Sequence, residues 1–211
     1  MSGEGLAAVI LAGGRSRRMG CEKALLELGG ETLIERLARR LAASFERILV
    51  STGSEPVSEG LGAALERLRA GGLAVEAVAD RRADFAGPLA GVEAALGALG
   101  SGRAFFISVD LVDPDAGLMA VLLEVSSAEG CLGVVPVCGG IIQGAFAVYS
   151  AELLPGVGSL LDGGEARLQE LAGAGGVATV ELEDSAADLF HGLNTPAEYE
   201  TLRSSLGEGG A

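Results

Sequence analysis

Residues 6–23 read LAAVILAGGRSRRMGCEK, and the change of character halfway along this stretch decides what kind of fold to expect. Leu6–Leu11 is a short apolar run of strand length. Gly13-Gly14 then permits a tight turn and a close backbone approach to a ligand. Arg15, Arg17, Arg18 and Lys23 follow within nine residues, on a chain whose formal net charge is −14. A local cationic loop on an acidic body is what a polyphosphate site needs: N–H groups to cradle oxygens and side chains to neutralise charge.

Lys23 is the only lysine; the fourteen other basic residues are arginines. The composition uses Arg wherever any positive charge serves, so a lone Lys marks a place where a compact ammonium fits and a planar guanidinium does not. A solvated turn with surface arginines would carry the same residues, and charge pattern alone leaves both readings open. Two other phosphate loops fail on spacing. A Walker A loop needs Gly-Lys followed by Ser or Thr, but Lys23 lies between Glu22 and Ala24; a dinucleotide fingerprint needs Gly-x-Gly-x-x-Gly, which Gly13-Gly14 with Gly20 does not supply.

Working outward, strands and helices alternate. Thr32-x-x-Glu35 is a capping box opening a helix with Leu33, Leu37 and Leu41 on one face. Arg47–Val50 reads as a strand. A helix carrying Leu61, Leu65 and Leu68 ends at Gly71-Gly72. Leu73–Ala79 is a strand finishing at Asp80, Pro88–Leu99 a helix with proline in its first turn, and Ala104–Val109 an apolar strand ending at Asp110. A helix from Pro114 to about Val125 takes Asp113 as its N-cap. Leu132–Val137 and Ile141–Tyr149 read as a strand pair across Cys138-Gly139-Gly140, followed by a short helix at Glu165–Leu171 and a strand at Val177–Leu182. Thr195-Pro196-Ala197-Glu198 opens the last helix, and residues 204–211 carry no pattern. The expected fold is a three-layer α/β/α, Rossmann-like domain over residues 1–203, with a mostly parallel, mixed sheet. In such sheets ligands bind beyond the carboxyl ends of the strands. The loop after strand one, Ser51, Asp80 and Asp110 all reach that edge. Asp110 could be a hard oxygen ligand for Mg²⁺ bridging to phosphates, or it could simply satisfy N–H groups of the turn.

Three blocks carry a resemblance. Leu11-Ala12-Gly13-Gly14, Ser16, Arg18-Met19-Gly20 and Lys23 match the signature loop of the molybdenum cofactor guanylyltransferases, a branch of the nucleotidyltransferases. Gly87-Pro88-Leu89-Ala90-Gly91 and Asn194-Thr195-Pro196 match that family's second and third blocks, in the same order. The resemblance implies transfer of GMP from GTP to the phosphate of molybdopterin with release of pyrophosphate, and Mg²⁺ as cofactor. It implies that Leu11, Ala12, Gly13 and Gly14 contact the nucleotide, and that Lys23 and Arg17 neutralise phosphate charge. It also implies that Ser51 and Asp80 help hold the nucleotide, that Asp110 binds Mg²⁺ as well, and that Gln143, Arg167 and Asn194 meet the acceptor. Gly13, where the related cytidylyltransferases carry Ala, is expected to leave room for a purine. The chain departs from the family pattern at Glu22, at Ser51, in the Asp110-Leu111 segment and at Gly144. The rivals are a nucleotidyltransferase using CTP or another acceptor, and a non-catalytic nucleotide-binding homologue.

Composition narrows the partners. A sequence pI near 4.4 argues against a nucleic-acid binder, so any nucleotide is expected as a small molecule. Cys21, Cys131 and Cys138 form no Cys-x-x-Cys pair and His191 is the only histidine, an inventory that favours neither zinc nor a disulfide framework. The N-terminal apolar run is too short to span a bilayer, there is no basic leader, and a cytoplasmic enzyme without membrane contact is expected. Transient contact with cofactor-delivery or acceptor proteins is compatible with this reading.

Overall fold

A computed structural model describes residues 6–14, 22–54, 56–82 and 87–205. The strands are β1 (Ala7–Leu11), β2 (Glu27–Leu28), β3 (Glu31–Thr32), β4 (Arg47–Ser51), β5 (Val75–Val78), β6 (Arg103–Ser108), β7 (Gly133–Cys138), β8 (Ile141–Ile142), β9 (Phe146–Ser150) and β10 (Val177–Leu182). The α-helices are α1 (Leu33–Leu41), α2 (Glu59–Ala70), α3 (Pro88–Leu99), α4 (Ala116–Ser126), α5 (Leu154–Asp162) and α6 (Pro196–Ser205). The main sheet runs β10-β7-β9-β6-β1-β4-β5, with β8 beside β7. β9 is antiparallel to both its neighbours and β8 to β7; the remaining pairs are parallel. β2 and β3 form a separate hairpin.

β1 sits inside the sheet, Ala7 level with Arg47 on one side and Ala104 on the other. Its side chains alternate between two cores, as strand geometry requires. Ala8 and Ile10 join the core covered by α1, α2 and α4, whereas Ala7 and Val9 join the core covered by α3 and α5. Both faces are dry, which is why the run is apolar without a break. The architecture is the expected three-layer α/β/α arrangement. Among the described residues no helix is long and apolar enough to cross a membrane.

Local signals explain several boundaries. The Thr32–Glu35 capping box forms: Thr32 Oγ1 accepts from Glu35 N, and Glu35 Oε2 accepts from Thr32 N at 3.1 Å. Arg67 of α2 donates to the other Glu35 oxygen at 2.8 Å, so one carboxylate ties two helices. α3 begins and ends where the sequence indicates. Gly87, before it, has φ 75°, and a Cβ there would lie 2.8 Å from Ala166 Cβ.

Other expectations need correction. α4 starts at Ala116, not Pro114, and its N-cap is Asp115, whose Oδ1 accepts from Leu118 N at 2.6 Å. Asp113 instead forms an ion pair with Arg40. The pair across Cys138-Gly139-Gly140 is interrupted. Only Ile141–Ile142 folds back along the end of β7, and after the turn through Gln143–Ala145 the chain enters the sheet as β9, between β7 and β6. The strand read as Leu73–Ala79 is shorter, and the helix expected at Glu165–Leu171 is a 3-10 turn at Leu168–Gly173. α5 and the β2–β3 hairpin gave no signal that the sequence reading used. Residues 204–211, without a pattern, are expected to be a disordered tail, but α6 continues through Ser205, so residues 204 and 205 are helical; residues 206–211 lie outside the described residues.

Candidate active site

The carboxyl ends of β1, β4, β5 and β6 open on a cavity of about 540 Å³. One wall carries Leu11, Gly13, Gly14, Ser51 and Asp80; the opposite wall carries Gln143, Gly144, Leu168 and Gln169, with Asn194 at the rim. Sheet order explains the division. β1, β4 and β5 lie on one side of β6, and the turn leading into β9 lies on the other.

The wall of Leu11, Gly13, Gly14 and Ser51 is built by close backbone packing. Val109 N donates to Leu11 O at 3.1 Å and Ala12 N to Ser51 O at 2.9 Å, continuing the ladder past the strand ends. Gly13 then passes so close to the next loop that a Cβ would sit 2.5 Å from Gly53 N and 2.7 Å from Gly53 Cα. This gives Gly13 a reason other than the expected purine space: the protein's own backbone fills the position. Gly91 plays the same part for α3, since a Cβ there would meet Ser51 Oγ at 2.5 Å and Leu11 Cδ2 at 3.3 Å. The Gly-Pro-Leu-Ala-Gly block therefore packs α3 against the wall that carries Leu11 and Ser51, and Gly87, Pro88 and Gly91 line the cavity.

Asp80 is half-buried, its N–H held by Gly53 O at 2.9 Å. Burial raises its carboxyl above the ordinary carboxylate range, a 3.5 Å contact from Ser51 Oγ opposes that, and the charge of Glu93 adds to it.

Asp110 and Lys23 meet across 87 residues of sequence. Lys23 Nζ donates to Asp110 Oδ2 at 2.9 Å and to Asn194 Oδ1 at 3.0 Å. Ser108 Oγ donates to the other Asp110 oxygen at 2.5 Å, fixing the carboxylate. The chain crosses directly over it, because a Cβ on Gly192 would lie 2.9 Å from Asp110 Cγ, and Leu193 N donates to Asp110 O at 3.1 Å. Lys23 and Asp110 side chains are only 17% and 16% exposed, so their attraction is far less screened than that of a surface pair.

Two hard oxygens, a carboxylate and an amide, thus converge on one cation. Among the described residues no group of three or more His, Cys, Asp or Glu could hold a metal. The donor set fits Mg²⁺, which binds through one or two protein oxygens and completes its shell with phosphates and water. It does not fit zinc, which takes nitrogen and sulfur ligands.

The sequence-derived candidates divide as follows. Leu11, Gly13, Gly14, Ser51, Asp80, Gln143 and Asn194 line the cavity. Ala12 lies in its ladder, and Lys23 and Asp110 form the cation cluster at its rim beside Asn194. Arg167 is turned outward, 68% exposed, and paired with Glu165 and Glu170 at 3.0 and 2.7 Å; its neighbours Leu168 and Gln169 face the cavity instead. Arg17, with Arg15, Ser16, Arg18, Met19, Gly20 and Cys21, lies outside the described residues. Sequence reasoning missed Ser108, Gln169 and Gly192. Ser108, two residues before Asp110 at the turn that ends β6, could have been found as a local hydroxyl partner of that carboxylate. Gln169 lies on a 3-10 turn with no sequence signature.

Residues 8–179 match the MobA-like NTP transferase domain. The chain is 34% identical to a probable molybdenum cofactor guanylyltransferase of Pelotomaculum thermopropionicum, with 92% of this chain and 90% of that protein covered. It is 30% identical to the molybdenum cofactor guanylyltransferase of Cereibacter sphaeroides, covering 95% and 97%. Among solved structures it resembles molybdopterin-guanine dinucleotide biosynthesis protein A from Archaeoglobus fulgidus, with a TM-score of 0.74 at 18% identity over 96% of this chain and all of that one, which shows the shared fold.

Proposed function

The chain belongs to the MobA-like NTP transferase family, and from that premise we propose that it transfers GMP from GTP to the terminal phosphate of molybdopterin, releasing pyrophosphate. One observation carries the reading from fold to chemistry. The only lysine is seated between Asp110 and Asn194, beside a cavity lined on one wall by the glycine loop.

The reaction asks little covalent chemistry of the protein. An oxygen of the acceptor phosphate attacks the α-phosphorus of GTP, the bond from that phosphorus to the β-bridging oxygen breaks, and pyrophosphate leaves with the electron pair. The attacking oxygen is already anionic, so no general base is required. What remains is positioning and charge neutralisation. The backbone at Leu11–Gly14 approaches the phosphates, and Lys23, with Arg17, neutralises them. Asp80 supplies a handle for the base. A carboxylate accepts from two adjacent donors, and guanine presents N1–H and N2–H together, whereas adenine and cytosine offer one exocyclic amino group beside an acceptor nitrogen. Gln143, Gln169 and Asn194 face the acceptor half. Asp110 would hold Mg²⁺, which when bound supplies electrostatic stabilisation of the phosphoryl oxygens, while Asn194 Oδ1 keeps Lys23 in place. A nucleoside triphosphate substrate argues for the cytoplasm as the place of work.

The test is calorimetric titration with GTP, CTP, ATP and UTP, followed by pyrophosphate release with molybdopterin, GTP and Mg²⁺. GTP should bind most tightly, and Lys23→Met should lose on the order of 10²–10³ in turnover with its fold intact; Lys23→Arg should recover little. Preference for CTP would move the chain to a cytidylyl activity, and full activity in Lys23→Met would remove the lysine from the mechanism.

A further inference from the structure

Glu198, in the first turn of α6, does not line the cavity, yet it controls the segment that closes the cation cluster. Its Oε2 accepts from Thr195 N at 2.9 Å and from Asn194 N at 2.6 Å. The first bond, with the reciprocal donation from Glu198 N to Thr195 Oγ1 at 3.3 Å, is an ordinary capping box. The second reaches one residue upstream of the cap, is shorter, and does nothing for the helix. What it does is fix the backbone of Asn194. The Asn194 side chain is set in turn, because its Nδ2 donates to Gly192 O at 2.9 Å, so the amide can present only Oδ1 to Lys23. His191 Nε2 stands 3.7 Å from the remaining Glu198 oxygen.

We propose that Glu198 is a positioning residue for group transfer: through the Asn194 N–H it aims the amide oxygen that, together with Asp110, seats the Lys23 ammonium. The proposal rests on the guanylyltransferase reading for its kinetic consequence but not for its geometry. The hydrogen bonds to an ionised carboxylate are charge-assisted and stronger than neutral ones. The Asn194 N–H is also the foremost reason that the Glu198 carboxyl lies below its ordinary range.

Two variants separate positioning from capping. Glu198→Ala removes both bonds, whereas Thr195→Ala breaks the capping box from the other side and leaves the bond to Asn194 N. Both should melt earlier by similar amounts. Only Glu198→Ala should lower kcat, by about 10–100-fold, the usual size for removing an outer-shell partner. Glu198→Gln, which keeps an acceptor oxygen, should recover much of the loss. The single lysine supplies a readout independent of activity, since ¹⁵N-lysine labelling gives one side-chain ammonium resonance. That resonance should shift in Glu198→Ala and stay in place in Thr195→Ala. A Glu198→Ala protein that melts earlier but keeps the wild-type kcat and Lys23 resonance would overturn the proposal, as would a Thr195→Ala protein that moves both equally. If the wild-type chain transfers no GMP, the functional reading fails, while the Lys23 resonance still decides whether Glu198 positions the cluster.

Discussion

Single residues here are constrained by close contact with the protein's own atoms. Gly13 is the clearest case. Its sequence context points to a nucleotide, yet the atoms that exclude a side chain are the backbone of Gly53. Gly13→Ala should therefore destabilise the protein without any nucleotide present, by about 1–3 kcal/mol, as overpacking does. A thermal melt of the ligand-free variant checks this. A melt equal to wild type, with GTP affinity alone reduced, would restore the purine-space explanation. Lys23 is the opposite case: its uniqueness in the composition already marked it, and the structure gives the reason. A compact ammonium bridges two oxygens on separate segments, whereas a planar, forked guanidinium does not offer the same point of charge.

At the scale of elements, caps decide where helices begin, and two of them yield separable predictions. Asp115 caps α4, so Asp115→Ala should cost roughly 0.5–2 kcal/mol of stability with turnover unchanged. Asp110→Asn should instead lose Mg²⁺-dependent turnover, and it should also melt earlier, because the largely buried Lys23 ammonium loses its ionic partner. Differential scanning fluorimetry and steady-state kinetics on both variants distinguish them, and an inactive Asp115→Ala would mean that the 110–115 turn serves the chemistry as a unit. The α1–α2 junction makes a pH prediction. Glu35 is held down from an ordinary 4.5 to about 2, chiefly by the hydrogen bond from Arg67, with Thr32 adding to it against the cost of burial. A carboxylate with a lowered folded-state pKa stabilises the fold fully above its unfolded value, and that contribution is lost as pH falls through the folded value. The difference in melting temperature between wild type and Glu35→Gln should be complete at pH 6, shrink below about 4.5 and disappear near 2. A difference independent of pH would show that packing, not ionisation, is what Glu35 contributes.

For the whole molecule, charge and topology act together. The chain carries a net charge of −14, and its substrate is itself a polyanion. The acidic body acts at long range and the loop cations only close by. Salt that shortens the screening length from ~30 Å at 0.01 M to ~8 Å at 0.15 M should therefore relieve the repulsion first. The association rate of a fluorescent GTP analogue, measured by stopped flow, should rise over that interval. A steady fall would mean that the arginine loop outweighs the body. Topology supplies the division of the cavity: with β9 inserted antiparallel beside β6, the wall opposite the glycine loop is built by Gln143–Ala145 with Leu168 and Gln169. Tyr149 OH steadies that wall from below, donating to Gly144 O at 2.9 Å.

The alternation of apolar runs and amphipathic segments was enough to determine the layered α/β/α class, because a strand buried on both faces has no polar position and a cap has a fixed chemistry. It was enough, too, to place Ser51, Asp80 and Asp110 at one edge, since parallel strands bring their carboxyl ends together. Short or irregular pieces escaped it: α5, the β2–β3 hairpin and the split of the β7 partner into β8 and β9 depend on contacts with distant segments rather than on local periodicity. The choice of Asp115 over Asp113 as the cap was likewise not legible, since both acids flank Pro114 and only the fold shows that α4 starts at Ala116. The meeting of Lys23, Asp110 and Asn194 belongs to the same category. Separations of 87 and 171 residues leave no trace in local pattern; only the folded sheet, with Gly192 letting the chain pass over a carboxylate, brings the three together.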